Sequence, residues 1–122
     1  MHNLQGDWSI LLHEAFASEV LDFDPRVRCE LFAHVALLQK YGPHLKRPYA
    51  DTLKGSRYAN MKELRFTAGG GVWRVAFAFD PERHAVLLVG ADKSGQSEKK
   101  FYRALIARAD KRFDGYLKGL RA

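Results

Sequence analysis

The sequence predicts one α+β domain in which helices pack on a small, mainly antiparallel sheet. Three observations carry this expectation. A chain of 122 residues, 47% apolar and 12% aromatic, can close one hydrophobic core without disulfides or metal. The stretch Met61 to Thr67 alternates Met/Glu/Arg against Lys/Leu/Phe, and after a glycine-rich turn the β-prone run Val72 to Phe79 follows, which reads as a hairpin. The flanking segments instead repeat their apolar residues at helical spacing.

Taken in order, Trp8-Ser-Ile-Leu-Leu12 reads as a short strand and His13 to Leu21 as a helix with Phe16, Ala17 and Val20 on one side. In the second helix Asp24 stands at the N-cap, Pro25 at the first helical position and Gly42 just past the end. Val27, Leu31, Val35 and Leu38 form its buried stripe. Gly42 to Gly55 lacks a sustained period and is expected to be an ordered surface loop carrying charge rather than core. Ala68 to Gly71 and Asp80 to His84 are turns, and Ala85 to Gly90 is apolar enough for a strand covered on both faces. From Ser97 onward Tyr102, Ile106, Ala109, Phe113 and Leu117 give a closing helix, its stripe widened by Phe101 and Leu105. The expected order is βααβββα, with three antiparallel strands in the second half. No repeat or linker divides residues 1–122, which read as a single domain.

The formal charge is +6, and its placement is uneven. The first thirty residues hold six acids against two arginines. From Lys40 to Arg74 eight basic residues face only Asp51 and Glu63, and from Lys93 to Arg112 seven face only Glu98 and Asp110. Such blocks attract a polyanion through counterion release, so a cationic surface centred on Lys54 to Arg74 is expected to hold RNA; the alternative is a solvated face that serves solubility. Cys29 is the only cysteine, so no internal disulfide can form and a reducing compartment fits. The N-terminus shows no charged start followed by an apolar run, and no stretch approaches the roughly 20 apolar residues that span a bilayer. The expected location is the cytoplasm, with no membrane partner.

Signatures of most enzyme classes are missing: there is no P-loop, HExxH or GxSxG. None of the five histidines stands at metal-ligand spacing, so neither metal nor cofactor is expected. The glycines at 69 to 71 lie between strands and open no helix, which makes them hairpin geometry rather than a phosphate loop. A DNA-reading helix-turn-helix is disfavoured because the helix after Asp24 spends its sequence on burial.

Five segments together, Leu53-Lys-Gly-Ser-Arg57, Asn60-Met-Lys-Glu-Leu-Arg65, Trp73-Arg-Val-Ala-Phe-Ala-Phe-Asp-Pro81, Asp92-Lys-Ser-Gly95 and Phe101-Tyr102, resemble the HigB-like, phage-associated branch of the RelE toxin superfamily. The resemblance runs from about Trp8 to Leu117. It implies a RelE-like fold and the toxin of a type II toxin–antitoxin pair: a ribosome-dependent, metal-independent mRNA endoribonuclease silenced by a helix-turn-helix, HigA-like antitoxin. In such toxins a ribose 2′-hydroxyl attacks the adjacent phosphate, and cations stabilise the charge that accumulates. Position within the shared motifs assigns Arg65, Arg74 and Lys93 to the scissile phosphate, where planar guanidinium forks pair bidentately with phosphate oxygens. Ordinary surface pairing, as of Arg65 with Glu63, is the alternative. For proton transfer two candidates remain open, Glu63 and Tyr102, and Tyr102 also lies on the apolar stripe and could be core. Lys54, Arg57 and Lys62 would grip the RNA backbone. Many relatives carry histidine where this chain has Tyr58, so no acid–base role transfers to that loop, although its ring can stack on a base. The competing reading is a non-catalytic RNA- or protein-binding module of the same fold.

Overall fold

The computed structural model describes residues 7–121. The elements are β1 (Ser9–Leu12), α1 (Glu14–Val20), α2 (Pro25–Tyr41), a 3-10 turn (Gly42–His44), β2 (Ala50–Thr52), β3 (Met61–Ala68), β4 (Gly71–Phe79), β5 (His84–Asp92) and α3 (Glu98–Arg121). They form one five-stranded sheet in the order β1-β5-β4-β3-β2. After β1 the chain crosses one face of the sheet through α1 and α2, reaches the far edge at β2, and returns by successive antiparallel pairings until β5 lies parallel to β1. The sheet is mainly antiparallel, as expected.

Two features depart from the sequence reading. The sheet has a fifth strand, β2, which pairs Asp51 with Glu63, and the 42–55 segment buries Leu45, Ala50 and Leu53 instead of carrying charge alone. A three-residue strand is too short to show an alternation, so its pairing was invisible in the pattern. His13 also stands outside the first helix, as its N-cap: its Nδ1 accepts from the Ala15 N–H at 3.0 Å.

The other boundaries follow local chemistry. The Asp24 carboxylate accepts from the Arg26 N–H at 2.8 Å, satisfying one of the unpaired donors of the first turn, and Pro25 opens α2. Gly42 ends that helix at φ 53°, and a Cβ there would lie 2.2 Å from the Trp8 indole nitrogen. Gly69 and Gly70, both at positive φ, close the β3–β4 hairpin as a two-residue turn whose twist matches the strands.

The sheet separates two cores. Leu64, Phe66, Val75, Phe77 and Leu87 face α1 and α2, meeting Phe16, Leu31 and Leu38. Met61, Ala76, Ala78, Val86 and Leu88 face α3, meeting Phe101, Leu105 and Phe113. A bulge between Ala76 and Phe77 re-phases β4 against β5, and Ala85 to Val89 are buried throughout. Charged residues that share the second face with small core residues must therefore be held beneath or beside α3, and that constraint builds the site.

Candidate functional site

Strand alternation sends Met61, Glu63 and Arg65 to the α3 side of β3, and the pairing of Arg65 with Arg74 brings two guanidinium groups to the same side at neighbouring positions. Two cations side by side are unfavourable unless a carboxylate lies between them. Glu63 supplies it. Arg65 donates to Glu63 Oε2 at 2.7 Å, and the Arg74 Nε lies 3.7 Å from Glu63 Oε1.

Tyr102, on the first turns of α3, closes the cluster. Its hydroxyl donates to Glu63 Oε1 at 2.8 Å and accepts from Arg74 Nε at 3.1 Å. Arg74 also donates to its neighbour's carbonyl, Trp73 O, at 2.9 Å. Burial differs within the group: Glu63 is 3% and Arg74 6% exposed, whereas Arg65 keeps 19% of its side chain in solvent and Tyr102 is half-buried. Burial, and then the bond to Glu63, push the Tyr102 phenol above its usual value, so it stays protonated and acts as a donor. Tyr102 thus has both aspects left open by its sequence: it packs against the α3-side core and also anchors the polar cluster.

Above the cluster lies an open groove of about 480 Å³, walled by Arg47, Asp51 and Lys54 on one side and by Glu98 and Tyr102 on α3 on the other, with Glu63 and Arg65 at its base. Its cations are largely matched by acids. Arg47 pairs with Asp51 at 2.8 Å, and Lys93 pairs with Glu98 at 2.8 Å. The hydrogen bond from Arg47 holds Asp51 below the usual carboxylate range, and that from Lys93 does the same for Glu98. Both pairs are solvent-exposed on at least one side, so they are weak and an incoming phosphate can replace the carboxylate.

The structure divides the sequence-derived candidates. It gathers Glu63, Arg65, Arg74, Tyr102 and Lys54 at the groove and sets Lys93 at its margin, through Glu98. Arg57, Tyr58 and Lys62 lie elsewhere. Arg57 and Tyr58 both bond to Asp114, about 18 Å along α3 from Tyr102 at 1.5 Å per residue, and Tyr58 packs edge-on against Phe113. Lys62 points to the opposite face of the sheet, where its Nζ reaches the Pro43 carbonyl at 3.3 Å. These three therefore stand apart from the other candidates, because closeness in sequence does not survive strand alternation and a turn into α3. Arg47 and Asp51 were missed: Arg47 sits before a strand with no readable period.

No histidine among the described residues lines the groove. Asp80, Glu82 and His84 are close enough together to suggest a metal, but Asp80 is taken up by the turn. Its Oδ1 accepts from the Glu82 and His84 N–H groups, and its Oδ2 accepts from the Tyr116 hydroxyl at 2.6 Å and faces His84 Nδ1 at 2.8 Å. This cluster ties the β4–β5 turn to α3.

Residues 18–114 match the model of a family described as phage-derived protein Gp49-like (DUF891). The chain belongs to that family. A Mycobacterium tuberculosis protein named as toxin HigB3 is 46% identical over 83 residues, covering 68% of this chain and 70% of that one. A second protein of that organism, named as toxin HigB2, is 41% identical over 88 residues, covering 71% of this chain but 43% of its own length. Among solved structures, a double arginine-to-alanine variant of E. coli toxin RelE in the free state superposes with a TM-score of 0.60 at 11% identity, over 83% of this chain and 95% of that chain, which shows a shared fold. This Gp49-like protein is thus related to proteins named as HigB toxins and shares its fold with RelE. No helix among its described residues is long and apolar enough to cross a membrane.

Proposed function

We propose that this Gp49-like protein is the toxin of a toxin–antitoxin pair and acts as a metal-independent endoribonuclease on ribosome-bound mRNA in the cytoplasm, held silent by a helix-turn-helix, HigA-like antitoxin. The observation that carries the reading is the Glu63–Arg65–Arg74–Tyr102 cluster at the base of an open groove whose walls carry Arg47 and Lys54. A buried, preorganised set of donors beneath a strand-sized groove is what stabilisation of a crowded, anionic phosphorane requires.

Roles follow from exposure and bonding. Arg65, the more exposed of the two clustered guanidinium groups, contacts the scissile phosphate, and Lys93 adds charge once Glu98 is displaced. Arg47 and Lys54 hold flanking phosphates. Arg74 is too buried for a bidentate grip and positions Tyr102 and Glu63. Glu63 takes the proton of the 2′-hydroxyl as that oxygen bonds to phosphorus, Tyr102 gives its proton to the leaving oxygen as the phosphorus–oxygen bond breaks, and the proton held by Glu63 then returns to Tyr102 through the 2.8 Å bond between them. Arg57 and Tyr58 meet RNA only where a strand runs on past the groove toward Asp114.

The test is mRNA cleavage by purified protein added to translating ribosomes. Arg65→Ala should lower the cleavage rate by roughly 100-fold, the scale for one lost transition-state donor, with a smaller loss of binding. Undiminished cleavage in that variant overturns the assignment.

One observation favours the second reading, a non-catalytic RNA- or protein-binding module: both oxygens of the best acceptor, Glu63, are already bonded and almost fully buried. Induced expression separates the two. An active toxin arrests growth, and the arrest disappears in the Arg65→Ala, Arg74→Ala, Lys93→Ala triple variant; arrest that survives in the triple variant supports the module.

A further inference from the structure

We infer that the groove between α1 and the outward side of α3 is where a partner protein docks through an acidic helical segment, and, resting on the reading above, that this partner is the antitoxin. The groove, about 680 Å³, is bounded by His13 and Ala15 at the start of α1 and by Ala104, Ala107, Lys111 and Gly115 on α3. It is separate from the RNA groove: Lys111 follows Tyr102 by nine residues, which at about 100° per residue turns it to the opposite side of the helix.

Charge identifies the occupant. All three acids of α3 are engaged away from this face: Glu98 with Lys93, Asp110 with Ser56 and the Arg57 N–H, and Asp114 with Arg57 and Tyr58. The exposed cations Lys100, Arg103, Arg108, Lys111 and Lys118 make no ion pair among the described residues. On the α1 wall Glu19 is taken up by Arg112 and Glu14 is the one further acid, so the five unpaired cations leave the face with a cationic excess, and electrostatic complementarity calls for an acidic partner.

Shape decides between a protein and a nucleic acid. Ala104 and Ala107 are exposed, and a Cβ built on Gly115 would meet nothing within 4 Å, so packing inside this chain does not require these residues to be small. A mid-helix glycine weakens the helix, yet here it lets another backbone approach closely. Phosphates need cations and no apolar floor; an amphipathic segment uses both. One wall is rigid, because Arg112 grips Glu19 through two bonds of 2.8 and 2.6 Å and also donates to the Leu88 carbonyl. A partner seated here leaves the RNA groove uncovered, so it would silence the protein by keeping it from a bulky substrate.

The experiment measures affinity between the full chain and the protein encoded in the adjacent reading frame. Ala107→Trp, which fills the floor, and the double reversal Arg108→Glu with Lys111→Glu, at exposed sites that leave the core intact, should each weaken the complex by roughly 100-fold, while Arg65→Ala leaves it unchanged. Unaltered affinity in both groove variants overturns the docking site, as does failure of the wild-type chain to bind that protein. Protection of the groove amides by a 16-bp RNA duplex with the partner's affinity intact overturns it in favour of RNA. Cleavage of mRNA by the chain alone is scored separately, so loss of the docking site and loss of the nuclease reading are distinguishable.

Discussion

The Tyr102 hydroxyl donates to Glu63 Oε1 at 2.8 Å, joining α3 to the centre of β3 through a carboxylate that is almost fully buried. This bond couples the stability of the helix–sheet junction to the chemistry proposed for the groove. Tyr102→Phe removes the donor without changing shape and leaves one carboxylate oxygen with the distant Arg74 alone. The variant should be less stable by about 1–2 kcal/mol in denaturant titration, the cost of an unmet buried acceptor. If Tyr102 is the proton donor, cleavage falls much further than that loss explains, and a variant as active as wild type removes Tyr102 from the mechanism.

Glu63→Gln keeps volume and removes the charge between two guanidinium groups. Breaking a buried ion pair by neutralising one partner leaves the other uncompensated, so a loss of about 3 kcal/mol is expected, read as a lower denaturation midpoint with unchanged slope. Arg74→Lys should restore less stability to an Arg74→Ala background than the native guanidinium, because an ammonium cannot bond to Tyr102 and Trp73 at once in that planar arrangement.

RNA affinity separates the cations by location. Arg47→Ala and Lys54→Ala should each reduce the slope of log affinity against log salt by roughly 0.7, the single-strand increment for one phosphate contact. Lys62→Ala should leave the slope unchanged, since its side chain lies across the sheet from the groove. A reduced slope in Lys62→Ala would place the RNA on the other face.

Acid should destabilise the fold in a defined direction. The side-chain bond from Arg26, and then the Arg26 N–H, hold Asp24 down to about 2, against 3.8 for the free group. A carboxylate depressed in the fold contributes stability that is complete above its unfolded pKa and is lost as pH falls through its folded one. The Asp24 contribution to capping α2 should therefore disappear between about pH 4 and pH 2, and an Asp24→Ala variant should lack that part of the acid transition. Glu19, lowered by its bond to Arg112, works in the same direction. Stability that rises in this window would contradict both assignments.

Gly42→Ala should cost about 1–3 kcal/mol, because it places a side chain at φ 53° and sets a Cβ 2.2 Å from the Trp8 indole nitrogen. Calorimetry on the variant gives the value directly. A neutral substitution would mean that Trp8 moves away freely.

The sequence by itself determined the elements whose period is long enough to read: α2 between Asp24 and Gly42, the β3–β4 hairpin, β5 buried on both faces, and α3 with its apolar stripe. Alternation along β3 even separated Lys62 from Glu63 and Arg65, although charge counted along the chain had grouped them. Only the tertiary structure decided which charges meet. Strand pairing set Arg65 opposite Arg74, and the crossing of α3 brought Tyr102 to Glu63 from 39 residues away. The same crossing drew Arg57 and Tyr58 to Asp114, away from the outward face of α3. Periodicity records the face on which a residue lies, whereas electrostatic contacts depend on distances that chain separation does not encode.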